Sequence, residues 1–482
     1  MTTPRSILSR ELLPASIAIF TTVAVVAFEG LAVTAALPDL TAELGDVAWL
    51  PWVITAYLLA SGVTTAISGS FVDAMGTAAV FRWATIAFAL SSLAAAAAPS
   101  MPVLVATRVL QGASGGAVIS VGLAAVALVY PGNLVGRAYA ANSNVWGVLA
   151  FAGPAIAALL LQVGSWRWIF LLMVPLSAAA LVAGWRTLPG PVEPGSLRVD
   201  WISVLLLVVA LGALLAAVSI VSPISPVFLA VAILSGGLLW RRMGQGESPL
   251  LDRRFIGEPP YLQLALATSL TLVATMGLSA YLPVYVRGAR GASAAAAAWS
   301  VLWLTIGWTV AANIAGRITD RVDRLSVLRV GAVAGLPAIG AAWVAVAVAA
   351  PLWVIYACYF AMGMAVGTVT NASLQMVRFA VPDKLAGRAT SAHAFMRTVG
   401  MSLGAGVVGG VILATVAASA GDISSVRVAL SGDAGDLAGE AVAALARGFT
   451  VAHAVSLGIM ALAVLIAGRL RPSASPAAAA TR

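Results

Sequence analysis

Apolar residues in this chain do not alternate with polar ones as in a sheet, nor form the one-sided stripes of a soluble helix. They come in runs of twenty and more. A run of about 20 apolar residues is the length that crosses a bilayer as a helix, and counting by that rule gives about fourteen spans. The first six lie near 14–37, 47–71, 77–98, 101–130, 136–163 and 166–188. After a polar, Pro- and Gly-rich stretch over 188–200 come two spans near 201–221 and 225–242. A second polar stretch, 241–260, holds Arg241, Arg242, Arg253 and Arg254, and six more spans follow near 261–286, 293–317, 325–349, 351–378, 384–419 and 447–469. The pattern predicts an all-α polytopic membrane protein in the order six, two, six. Its expected domains are an N-terminal six-helix bundle (1–190), a linker with two extra transmembrane helices (191–258), a C-terminal six-helix bundle (259–471) and a disordered Ala/Pro/Ser-rich tail (472–482). The stretch 420–446, with Asp422, Asp433, Asp436 and Glu440, reads as a solvated connector, with a short helix over the outer face as the alternative.

Composition agrees with this reading and removes several alternatives. Charged residues are 9% of the chain, against about 25% in soluble domains. The net charge of +9 comes from arginines in short segments beside apolar runs, so it orients helices and implies no nucleic-acid partner. With the first end inside, the outer segments carry only Arg167, Arg287, Arg290, Arg427 and Arg447. That bias predicts both termini in the cytoplasm. A single cysteine, Cys358, excludes an internal disulfide. The one lysine, Lys384, stands in Pro-Asp-Lys-Leu, so no Gly-rich phosphate loop ending in Gly-Lys-Ser/Thr exists. Two histidines without a His-Glu-x-x-His pattern leave little for a metal-centred enzyme. Neither a cofactor, a metal nor an enzymatic reaction is expected.

The ionisable residues within the spans are the candidates for chemistry. Glu29 is the one charge in the apolar run 22–38, and a carboxylate there costs roughly 2.5–3.5 kcal/mol to insert. It reads either as a proton-binding site or as a polar residue turned toward other helices. Glu29 and Arg108, counted from the outer ends of their spans at ~1.5 Å per residue, lie at similar depth, roughly 10–14 Å down. Opposite charges at matched depth offset each other's insertion cost, and a pair that separates between two conformations can load and release a proton. A purely structural ion pair is the alternative. Gln111, one turn from Arg108, either faces the same cavity or bridges helices. His393 and Arg397 share a face of the thirteenth span; Arg397 has no partner visible in the sequence and suits an anionic group, while His393 reads equally as a packing residue. Asn142, Asn144, Asn313, Asn371 and Gln375 are further cavity candidates, with interhelical hydrogen bonding as the alternative for each. Gly112/Gly116, Gly400/Gly404 and Gly406/Gly410 have the small-xxx-small spacing that lets helices pack closely.

An internal repeat links the two six-span groups. Gly69-Ser-Phe-Val-Asp73-Ala-Met-Gly76 follows the second span, and Gly316-Arg-Ile-Thr-Asp320-Arg321 follows the tenth. Gly-x-x-x-Asp thus recurs at one place in a six-helix unit. With Arg108-Val-Leu-Gln111-Gly112, Ser165-Trp166-Arg167-Trp168, Val199-Asp200-Trp201, Pro249-Leu-Leu-Asp252 and Tyr281-Leu-Pro-Val-Tyr285 in order, the chain resembles the major facilitator superfamily, in its fourteen-helix drug:proton antiporter branch. Glu29 stands nine residues before Pro38, where these antiporters usually carry Asp. Gly153 and Pro154 match part of the fifth-span antiporter pattern, although Ala157 and Ala158 replace its trailing glycines, and Thr77-Ala-Ala replaces the basic residues expected after Gly76. The resemblance implies a bacterial plasma-membrane transporter, acting as a monomer by alternating access, that exports hydrophobic or amphipathic small molecules against protons. Export of lipids or lipid-linked compounds is the alternative within transport, and a non-transporting scaffold or sensor the alternative from another class.

Overall fold

In hydrocarbon every backbone N–H and C=O must be satisfied within the chain, which leaves the helix as the spanning form for such runs. The computed structural model describes residues 6–188, 199–219, 223–243, 253–318, 322–379, 383–420 and 436–471. Fourteen helices among them are long and apolar enough to cross a membrane. They are α1 (Leu13–Leu44), α2 (Leu50–Met75), α3 (Thr77–Ala96), α4 (Met101–Val129), α5 (Gly132–Val163), α6 (Arg167–Gly184), α7 (Trp201–Ser219) and α8 (Ser225–Met243), followed by α9 (Tyr261–Val284), α10 (Leu302–Ile318), α11 (Arg324–Ala347), α12 (Leu352–Phe379), α13 (Asp383–Ala420) and α14 (Asp436–Arg469). A short helix, Ala294–Ser300, leads into α10. Prolines open α1, α2 and α4, where the missing N–H removes no intrahelical bond. Gly76 joins α2 to α3 in a single residue at φ 81°, a left-handed conformation that favours glycine.

Two helices depart from their predicted limits. α1 runs on through Pro38 to Leu44. α14 begins at Asp436, eleven residues before the expected 447, so the second part of the predicted 420–446 connector is helix. Ala441, Ala444 and Leu445 are buried there while Glu440 is exposed, which is the 3.6-residue periodicity of a helix packed on one face. Asp422, Asp433 and the tail 472–482 lie outside the described residues.

The chain forms two compact units, residues 1–201 and 202–482. In the first, α2 packs on α4, α3 on α4 and α6, and α1 on α5 and α6. In the second, α10 packs on α12, α11 on α12 and α14, and α9 on α13 and α14. The pairings correspond one for one, so the repeat in the sequence is a repeat in packing. It extends to the backbone. A Cβ on Gly112 or Gly116 would lie 2.2 Å from the carbonyl oxygens of Tyr57 and Ser61. On Gly363 or Gly367 it would lie 2.0 and 2.3 Å from those of Leu304 and Trp308. Both contacts step four residues on each helix, so α4 on α2 and α12 on α10 share one register.

Gly410 of α13 comes equally close to the Val218 carbonyl of α7, and Gly406 abuts Ser219 and Leu215. The first extra helix is thus seated on the second unit through a small-xxx-small pair. α8 is mostly exposed, with Val227, Ile233, Leu234 and Leu238 each more than half open, and reads as a lipid-facing surface.

Gly112→Ala should lower the melting temperature in detergent, because the new methyl displaces backbone; overpacking of this kind costs about 1–3 kcal/mol. Gly122→Ala is the control on the same helix. Nothing lies within 4 Å of its Cβ position, so melting should be unchanged or slightly raised.

Candidate functional site

Among its described residues the first unit buries one ion pair. Glu29 on α1 is 0% exposed and Arg108 on α4 is 2% exposed, and the Arg108 Nη1 meets the Glu29 Oε1. Arg108 is held on several sides besides. Its Nε donates to the Val53 carbonyl at 2.9 Å, its Nη1 donates to the Gln111 Oε1, and its guanidinium lies 4.3 Å from the Tyr57 ring centroid. Gln111 is itself fixed, donating through Nε2 to the Ser92 Oγ at 2.8 Å and contacting the Met173 sulfur at 3.5 Å. The groups facing the Glu29 carboxylate are Arg108 and the Tyr57 hydroxyl, and that hydroxyl makes no well-directed hydrogen bond. Gly115 leaves the room it occupies, since a Cβ there would lie 2.8 Å from the hydroxyl oxygen. The arrangement is asymmetric. Arg108 keeps hydrogen bonds if Glu29 is neutral, whereas Glu29 depends on one cation.

Such a pair is poor value as a stabilising device, because taking two charges out of water costs several kcal/mol each and mutual attraction does little more than offset it. What it offers chemically is a carboxylate, shielded from water, whose charge is balanced by a single cation.

The other predicted residues fall in three groups. Glycine and proline positions pack helices: Gly153 brings α5 against Leu31 of α1, a Cβ there standing 3.3 Å from Leu31, and Pro154 follows it inside the helix. Of the repeated loop motifs, Gly76 makes the turn described above. Gly69 and Asp73 lie on α2 and Gly316 on α10, their surroundings outside the described set together with Asp320 and Arg321. Among the amides, Asn144 is exposed on α5, and the side chain of Asn142 lies outside the described set. Asn313 donates to the Thr309 carbonyl of its own helix at 2.8 Å. Gln375 donates to Asn371 at 2.7 Å and accepts from the Arg324 Nε at 3.3 Å, so this pair is tied to the start of α11.

The third group is His393 and Arg397 on α13. The His393 Nε2 is 2.8 Å from the Ser373 Oγ on α12, which is 2.8 Å from the Thr268 Oγ1 on α9. The Arg397 guanidinium lies 6.0 Å from the Trp308 ring centroid on α10.

The sequence reading passed over the cradle around Arg108, namely Tyr57, Ser92 and Met173. It also passed over a neutral polar pair in the second unit. Tyr359 and His453 are both 0% exposed, with the Tyr359 hydroxyl 3.2 Å from His453 Nε2 and His453 Nδ1 2.7 Å from the Phe449 carbonyl. A signal existed for Tyr359. Aligning Gly112 with Gly363 sets Arg108 against Tyr359, each four residues ahead of its glycine. The repeat thus sets Arg108 and Tyr359 at one position, but their partners are not equivalent: Glu29 is on α1 and His453 on α14, the counterpart of α6. A last cluster ties α1 to the start of α6: Glu43 pairs with Arg167 and accepts from the Trp166 Nε1 at 2.7 Å. Both charges are partly exposed, so the ion pair contributes about 1 kcal/mol or less.

A two-unit, fourteen-span helical protein with a charge pair sealed inside one bundle has the makings of a membrane carrier, and comparison places it. Residues 17–405 match the Major Facilitator Superfamily, and the chain belongs to that family. The fourteen candidate spans among its described residues fit the family's fourteen-helix branch. Among curated relatives it is 27% identical over 390 residues to an uncharacterised MFS-type transporter of Mycobacterium tuberculosis, covering 78% of this chain and 56% of that protein. It is 27% identical over 312 residues to the multidrug resistance protein B homolog of the same organism, covering 62% and 57%. The chain thus spans little more than half the length of these relatives. Among solved structures it is similar to a bacterial homologue of the human lysosomal transporter Spinster, captured inward-facing and occupied. That likeness has a TM-score of 0.66 at 14% identity, over 96% of this chain and 97% of the other.

Proposed function

We propose that this protein is a proton-coupled exporter of hydrophobic or amphipathic small molecules. It works by alternating access between an N-terminal and a C-terminal six-helix bundle, with both termini in the cytoplasm. Glu29 is the proton carrier and Arg108 its counter-charge. The observation that carries this reading is the ion pair itself, 0% and 2% exposed. Two charges buried so deeply in a membrane bundle are expensive, and stability gives little reason to retain them. When Arg108 is drawn away by a rearrangement of α2 and α4, the carboxylate favours its protonated form; when Arg108 returns, the proton leaves. Names of relatives that refer to multidrug resistance support the export direction and the choice of cargo. Gly69, Asp73, Gly316, Asp320 and Arg321 are assigned to the conformational change at the cytoplasmic side, and α7 and α8 to the periphery.

The test uses purified protein in proteoliposomes with a fluorescent amphipathic compound outside. An acid-inside gradient should drive its accumulation, and a protonophore should abolish that accumulation. Uptake indifferent to the gradient would dismiss proton coupling.

A further inference from the structure

We infer that the second unit holds a binding site for an anionic group, built on Arg397 and His393, and that the transported amphiphiles carry a negative head. This deepens the transport reading and rests on it.

The argument begins with charge. From residue 259 onward the acidic residues are Asp320, Asp323, Asp383, Asp422, Asp433, Asp436 and Glu440. Asp383 is the first residue of α13, so Arg397 lies fourteen residues in, about 21 Å along the helix at 1.5 Å per residue. Among the described ones, Asp323 caps α11, Asp436 is the first residue of α14 and Glu440 lies one turn into it. Among the described residues Arg397 makes no ion pair, in contrast to Arg108 with Glu29. The Arg397 Nε is buried without an acceptor, and the Trp308 ring beside it supplies only a weak cation–π contact at 6.0 Å. The side chain as a whole is half-buried.

One turn away, His393 is 2% exposed and its Nδ1 is buried with no partner. Its ring is oriented by the Thr268–Ser373 hydroxyl chain at 2.8 Å per link. The Thr268 hydroxyl reaches both the Leu264 carbonyl and the Ser373 Oγ; in the tautomer where Ser373 donates to Nε2, the imidazole proton sits on Nδ1, which has no acceptor. A guanidinium and an imidazole N–H, four residues apart on one face of α13, are the donor set for a carboxylate, phosphonate or phosphate oxygen pair. A bound anion would satisfy both orphaned groups at once.

The experiment compares three decyl amphiphiles that differ only in the head, measured by ligand-induced melting shift of the purified protein in a non-ionic detergent. Decylphosphonate should raise the melting temperature, while decyltrimethylammonium and decanol should not. Arg397→Gln should weaken phosphonate binding by about tenfold or more, and Arg397→Lys should retain part of it. Equal stabilisation by the three heads would overturn the proposal on wild-type protein alone, whether or not the variants fold. So would unchanged phosphonate affinity in a folded Arg397→Gln.

Repeating the measurement in nanodiscs separates cargo from lipid. A phosphonate effect that persists in phosphatidylglycerol supports the cargo assignment. An effect present in phosphatidylcholine and lost in phosphatidylglycerol would give the site to a resident lipid headgroup and overturn that assignment. The assay imposes no gradient and reads binding alone. A failure of proton coupling therefore leaves this test standing, and the converse holds.

Discussion

Glu29→Gln is expected to abolish gradient-driven accumulation in proteoliposomes while leaving substrate binding in place. The amide keeps the shape of a protonated carboxyl, but it has no proton to release, so one half of the cycle is permanently loaded. Arg108 loses its counter-charge and keeps its hydrogen bonds to the Val53 carbonyl and to Gln111, so the bundle should still assemble. Substrate exchange across the membrane without a gradient should survive, since it requires no net proton transfer. Glu29→Asp, which restores the residue common in similar antiporters, should retain part of the driven transport, because the carboxylate persists one methylene shorter. Full gradient-driven transport by Glu29→Gln, with proton movement unchanged, would show that another group carries the proton.

Arg108→Ala should be more damaging to the folded protein than Glu29→Gln. It strips the carboxylate of its cation and at the same time empties the space between Val53, Tyr57 and Gln111. Breaking a buried pair by removing one partner costs roughly 3–5 kcal/mol, enough to show as a large fall in melting temperature and in the yield of monodisperse protein. Arg108→Lys should also impair, because an ammonium cannot reach Val53, Gln111 and Glu29 from one planar fork. The decisive comparison is the double variant Arg108→Ala/Glu29→Gln. Two residues in contact are not additive, and a variant with no charge left to strand should recover part of the stability while remaining unable to couple to protons. If the double variant were no more stable than Arg108→Ala, the pairing energy would lie elsewhere.

Much of the architecture was legible because membrane physics writes it plainly. Apolar runs of bilayer length can be counted, and the repeat of Gly-x-x-x-Asp divides them into halves. Glu29 and Arg108 could be matched by depth alone, since rise per residue in a helix is fixed, and in the structure the two side chains meet. What stayed hidden was of two kinds. Helix limits were misjudged where a local signal was overridden: Pro38 marked an end to α1, yet the helix continues and carries Glu43 to Arg167 and Trp166. The charges Glu440 and Arg447 similarly disguised the first turns of α14, whose apolar face is nearly all alanine. The second kind was the identity of neighbours. Tyr57, Ser92, Ser373 and Thr268 are ordinary residues in apolar runs, and only the packing of one helix on another brings them to a charge or an imidazole.

The glycine contacts between α2 and α4, and between α10 and α12, also bear on how such a protein changes over generations. Where a carbonyl oxygen stands 2.0–2.3 Å from the position a Cβ would take, every substitution is closed at once, whatever the cargo. Positions 112, 116, 363 and 367 are fixed ground. A lineage meeting new compounds has to adapt through residues that touch no backbone so closely, such as the exposed Asn144 or the half-buried Arg397. Changes can then accumulate at those positions one by one, while the closely packed helix pairs pass unaltered from each variant to the next.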